Sequence, residues 1–190
     1  SFDEVRVSDT WLGLLGNTAS EDPNEAPTAQ AAQLWFDAER TNQFTAGWIR
    51  GNGSKVLVAA YPGTSWPGAA LPADAATYDA DAVFGDGDEL GFGTGCFVVY
   101  NGDGNEVTIT GLEPATAYIV RAFEYNEGDG TKYLTETATA NPATGWTLTP
   151  PVPLLGLAGV NAVDLNWTKF NNRNVMVVFR VGAPVEFEPE

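Results

Sequence analysis

Apolar residues recur at every second position over short runs in this chain, and Gly, Pro, Asn and Asp separate the runs. That period belongs to strands with one face in a core. Phe44, Ala46 and Trp48 share one face of a predicted strand. Gln33–Phe36 precedes it, and Lys55–Ala60 follows through the turn Gly51-Asn52-Gly53. Cys96–Tyr100 and Glu106–Thr110 read as two further strands. Asn101-Gly102-Asp103-Gly104 between them predicts a hairpin, because Asn-Gly and Asp-Gly accept positive φ. After Tyr118, residues 118, 120 and 122 point to one face and Ile119, Arg121 and Phe123 to the other. Tyr133–Thr144 predicts a closing strand.

The stretch Gly111-Leu112-Glu113-Pro114-Ala115-Thr116-Ala117-Tyr118 organises this pattern. Pro114 fixes φ and has no amide to donate, so it belongs to a turn. A Tyr just inside the following strand can bury its ring and bond its hydroxyl back to the turn backbone, a tyrosine corner. With Leu112, Pro114, Tyr118, Glu124-Tyr125-Asn126 and Gly128, the stretch resembles one region of a fibronectin type III domain, and in particular the long variant of secreted bacterial proteins. The resemblance implies an immunoglobulin-like β-sandwich over residues 28–146, with Trp48 as a core residue. The fold hosts many roles, so the resemblance leaves function open.

Residues 61–95 exceed what an ordinary sandwich of about 100 residues needs at this crossing. The segment holds Pro62, Pro67, Pro72, seven glycines and an acidic cluster. Its Tyr78, Phe84-Gly85, Gly87 and Leu90-Gly91 match the insertion of the bacterial variant, which implies that glycines and aromatics order it. Residues 17–27 and 147–153 read as linkers. Val163-x-Leu165-x-Trp167 mirrors Phe44-x-Ala46-x-Trp48, and Trp167 follows Trp48 at the offset by which Val175 follows Val56 (167 − 48 and 175 − 56, both 119). Residues 154–190 therefore read as the first strands of a second, partial sandwich. Residues 1–16 resemble the closing strand of a laminin-G/concanavalin-like domain. The expectation is a piece of a longer polypeptide, with any targeting segment lost or lying upstream.

Composition narrows the chemistry. Asp and Glu total 25 against 9 Lys and Arg, a net charge of −16, which disfavours nucleic acid and anionic membranes as partners. No apolar stretch is long enough to span a bilayer. An acidic surface suits an extracellular or cell-surface setting. There is no His and one Cys, Cys96. That removes a Ser/His/Asp triad, His/Cys zinc sites and an intrachain disulfide. Cys96 opens an apolar run and is expected as a buried structural thiol.

Two candidate sites remain. Asp79, Asp81, Asp86, Asp88 and Glu89 offer hard oxygens for Ca²⁺, which takes six to eight. Their spacing does not fit an EF-hand, and Asp and Gly are equally turn formers. Trp66, with Tyr61 nearby, could stack on a sugar or pack the insertion instead. Paired carboxylates on these Gly-rich loops show no cleft for glycoside hydrolysis. The expectation is a non-enzymatic spacer or adhesion module whose partners are neighbouring domains of the same polypeptide. The alternative is an accessory module of a secreted hydrolase that binds polysaccharide or a surface protein.

Overall fold

The computed structural model describes residues 25–128 and 130–150, and the backbone of 157–158 and 163–164. The chain divides between Leu148 and Thr149 into two units. Among the described residues of the first, eight strands form: β1 (Ala32–Asp37), β2 (Phe44–Ile49), β3 (Lys55–Pro62), β4 (Phe97–Gly102), β5 (Glu106–Ile109), β6 (Ala117–Asn126), β7 (Lys132–Tyr133) and β8 (Ala143–Trp146). One sheet has the order β1-β2-β5, and the other runs β4-β3-β6 with β7 and β8 both paired to β6. All of these pairings are antiparallel. The chain switches sheets after β2, β4 and β5, as in an immunoglobulin-like β-sandwich. In the second unit, β9 (Leu157–Ala158) pairs antiparallel with β10 (Val163–Asp164). The laminin-G-like reading of 1–16 and the mirrored Trp167 and Val175 lie outside the described residues.

The alternation read along the chain is the alternation of the core. Phe44, Ala46 and Trp48 face Val56, Val58, Ala60, Tyr118, Val120 and Ala122 between the sheets. The tyrosine corner forms: Tyr118 is buried, and its hydroxyl accepts a hydrogen bond from the Glu113 amide at 2.9 Å. Gly111 enters the turn at φ +71°, where a Cβ would sit 3.1 Å from Val83, so this position wants glycine on both counts.

Three expectations change. The Asn101–Gly104 turn does not close a hairpin, because β4 pairs with β3 and β5 with β2, in different sheets. The turn instead carries the chain across the sandwich. Tyr100 holds it, accepting from the Gly104 amide at 2.6 Å and packing on Trp48. The closing strand is broken into β7 and β8. The side chain of buried Asn141 fills part of the gap: it accepts from the Ala122 amide and donates to the carbonyls of Ala122 and Ala31. Finally, Thr147 is buried and its hydroxyl donates to the Glu113 carbonyl at 2.6 Å. The sandwich therefore reaches past Trp146 into the segment expected as linker.

The insertion determines the surface of the domain. Its Ala70 and Leu90, with Cys96 just after it, bury against Leu57, Ala59, Val98, Phe123, Tyr125 and Tyr133, forming a second core on the outer face of the β4-β3-β6 sheet. This explains why β6 is buried at nearly every position although its sequence alternates in character. Phe84 enters from the side, with its ring 5.2 Å from Tyr118 and 5.3 Å from Phe97. The backbone of 81–88 bonds to Val98 in β4, and that of 82–84 to Thr110 after β5. The insertion thus satisfies edge groups of both sheets, which would otherwise be open to pairing.

Candidate functional site

Three acidic side chains of the insertion, Asp81, Asp88 and Glu89, bind its own backbone. Asp88 Oδ2 accepts from the Asp79 amide at 2.8 Å, and the Asp88 amide donates back to the Asp79 carbonyl. Asp81 Oδ1 accepts from the Val83 amide. Glu89 accepts from the amides of Gly93 and Gly95 at 3.0 and 2.5 Å. These amide bonds hold the Glu89 carboxyl below its ordinary pKa. Asp86 is exposed. Among the described residues, no three His, Cys, Asp or Glu side chains gather as a metal site. As folded, the Asp88 and Asp81 carboxylates close turns, Asp79 joins through its backbone, and Glu89 grips the tip of the loop.

Trp66 and Tyr61 are both partly buried and pack against the second core. Trp66 Nε1 donates to the Ala70 carbonyl at 2.8 Å, and its ring meets Phe123 edge-on. On the same side, Arg121 lies over the rings of Trp66 and Phe123. Arg121 is buried, its guanidinium donates to the Thr135 carbonyl, and burial lowers its pKa. Cation–π attraction to two rings offsets part of that burial cost. Trp66 is therefore a wall of the insertion core rather than a free-standing ring.

A cleft of about 410 Å³ opens where the insertion meets the end of β6. Tyr78, Tyr125 and Tyr133 line it, with Lys55 and Glu127 paired at its rim at 2.7 Å. The Tyr125 and Tyr133 rings lie 4.8 Å apart, and Tyr78 meets Tyr133 edge-on. Their hydroxyls are engaged: Tyr125 donates to Asn101, Tyr133 donates to the Ala76 carbonyl, and Tyr78 accepts from the Ala73 amide. Burial raises the Tyr125 and Tyr133 pKa values, so both stay neutral phenols. The cleft offers aromatic surface and hydrogen bonds but no activated nucleophile. Cys96 is buried as expected, and burial pushes its thiol pKa to about 12.

Two features escape a first reading of the sequence. Glu124 is fully buried and takes a bidentate bond from Arg50, at 2.7 and 2.9 Å, plus the amides of Gly51 and Gly53. This pair joins the end of β2 to β6, tying one sheet to the other. The signal was parity: Glu124 follows Tyr118, Val120 and Ala122 on the core face, where a carboxylate requires a partner. The second is Trp35 in β1, 42% exposed. Gly47 stands opposite it in β2, and the indole fills the space that a side chain at 47 would need. A glycine inside a strand signals such an approach.

No family model matches the chain, and no curated protein does. Solved structures similar to it include the FN5 domain of Drosophila Lar, 13% identical with a TM-score of 0.37, covering 65% of this chain and 99% of that one. The third fibronectin III domain of human KIAA0343 protein is 11% identical with a TM-score of 0.38, covering 68% and 90%. The strand order and pairing carry the fold assignment without these superpositions: the described residues are all-β and form an immunoglobulin-like sandwich.

Proposed function

We propose that this chain is a non-enzymatic spacer or adhesion module of a secreted or cell-surface multi-domain protein. The observation that carries the reading is the packing of the insertion. It seals one sheet face and touches both sheets, and its carboxylates hold its own amides. Such an arrangement gives stiffness rather than a reaction centre. The long bacterial variant of fibronectin type III, the laminin-G-like segment 1–16 and the second partial sandwich over 154–190 belong to the same reading. In it, 28–146 is the module, 147–153 a linker, and the first partners are the neighbouring domains. Calcium at Asp79, Asp81, Asp86, Asp88 and Glu89 would have to compete with the amides that three of these side chains, Asp81, Asp88 and Glu89, already hold.

The test is hydrogen exchange on residues 1–190. The amides of Leu90, Val98 and Thr110, which bond within the insertion or to it, should be protected as strongly as those of β3 and β6. Exchange at the rate of a free loop would sink the reading, as would turnover on a panel of glycosides, esters and peptides.

A second reading, an accessory binding module for polysaccharide or a surface protein, draws on aromatic surface that the fold does not use. Trp35 is 42% exposed and Phe92 wholly so.

A further inference from the structure

We propose that the outer face of the β1-β2-β5 sheet, centred on Trp35, is a binding platform for an uncharged polysaccharide. The proposal rests on the binding-module reading and gives it a place. The two sheets differ in what covers them. The outer face of β4-β3-β6 carries the insertion, whereas that of β1-β2-β5 bears Trp35 and Ile49, 42% and 53% exposed.

The pairing fixes what surrounds the indole. Trp35, Gly47 and Glu106 lie opposite one another across the three strands, and Asp37, Thr45 and Thr108 form the next row. Leu34, Phe36, Phe44, Ala46, Val107 and Ile109 turn inward, so these two rows face outward together. The Thr45 and Thr108 hydroxyls, 2.9 Å apart, share that face. Because the indole reaches over Gly47 in the neighbouring strand, it lies across the sheet instead of standing up from it. An aromatic ring held this way is a rigid, amphipathic surface that costs little entropy to use.

Chemistry selects the occupant. A pyranose offers an apolar C–H face to an aromatic ring and hydroxyl donors at its rim. Asp37 and Glu106 are acceptors for such donors, and the Thr hydroxyls can give or take. The same carboxylates, on a chain of net charge −16, repel uronate and sulfated chains and nucleic acid.

The experiment is retardation of residues 1–190 in native gels containing mixed-linkage β-glucan, hydroxyethylcellulose, xyloglucan, arabinoxylan or galactomannan, with polygalacturonate as the charged comparison. At least one neutral polymer should retard the protein, and polygalacturonate should not. Trp35→Ala should weaken that association at least tenfold while the chain still melts cooperatively, and Trp35→Tyr should restore part of it. Retardation by none of the neutral polymers overturns the proposal and the binding-module reading together. Binding that survives Trp35→Ala but is lost in Trp66→Ala overturns this placement alone. A dimer in sedimentation that Trp35→Ala dissolves assigns the face to a second copy and also overturns it.

Discussion

Tyr118→Phe removes one atom from the corner that joins the sheets. The hydroxyl of Tyr118 accepts from the Glu113 amide at 2.9 Å, and the ring stays wedged against Phe44 and Phe84. Phenylalanine keeps those ring contacts, so the change isolates the hydrogen bond. Stranding a buried partner costs about 1–3 kcal/mol. Glu113 is itself exposed, so water can reach part of its amide, and the lower half of that range applies, about 1–2 kcal/mol. For a unit of this size each kcal/mol moves the melting midpoint by roughly 2–4 °C. Urea unfolding followed by intrinsic fluorescence should therefore show an earlier midpoint with an unchanged slope, since the buried surface is the same. A change within about 0.3 kcal/mol, below the net worth of a typical hydrogen bond, would refute the corner as a stabilising element.

Arg50→Met strands the Glu124 carboxylate with two amides and no cation, and should cost about 3 kcal/mol, the lower end for breaking a buried pair because Arg50 is partly exposed; urea titration checks it, and a loss no larger than that of a surface substitution would refute it. Cys96, with its thiol pKa raised to about 12, should resist alkylation at pH 8 in the folded chain and react at once in urea; ready labelling without denaturant would mean the insertion core is open. The depressed pKa of Glu89 makes its grip present above the ordinary carboxylate pKa and lost as pH falls through the lower folded value. Amide exchange at Gly93 and Gly95 should therefore rise, once corrected for intrinsic rates, only below the usual carboxylate range. Thermal melts in EDTA and in millimolar Ca²⁺ should superimpose, because the loop carboxylates already serve as turn acceptors; a rise of several degrees that Asp88→Asn removes would establish an ion site.

What the sequence made legible was whatever depends on neighbours along the chain. The parity of Phe44, Ala46 and Trp48, the two faces of β6 and the corner at Tyr118 are all set within a few residues. Partner choice is not local. Asn101-Gly102 has hairpin chemistry, yet the strands on either side each find a better partner elsewhere, and nothing in four residues records that. The insertion was read correctly as aromatic and Gly-rich, but its contacts with Leu57, Phe123 and Tyr133 bridge long sequence separations. Trp66 stands outside any predicted strand, yet it packs edge-on against Phe123, whereas Trp35 stands inside one and is 42% exposed. Strand does not mean core here, nor loop surface, because this insertion reverses the two.

That reversal bears on where a partner can dock. In a bare sandwich either outer sheet face is available, and an aromatic on one is not more telling than an aromatic on the other. Here the insertion converts the outer residues of β3, β4 and β6 into core, so Phe123 and Tyr125 there, and Trp66 of the insertion itself, are spent on packing. Among the described residues Trp35 has no such covering, and Gly47 beneath it presents no side chain to tilt the indole off the sheet. A mid-strand glycine costs conformational entropy on folding, and here it leaves room for the indole to lie over β2. The result is an apolar surface on the same face as Asp37 and Glu106. On it the proposed neutral polysaccharide would stack, while those carboxylates and the net charge of −16 would turn an anionic polymer away.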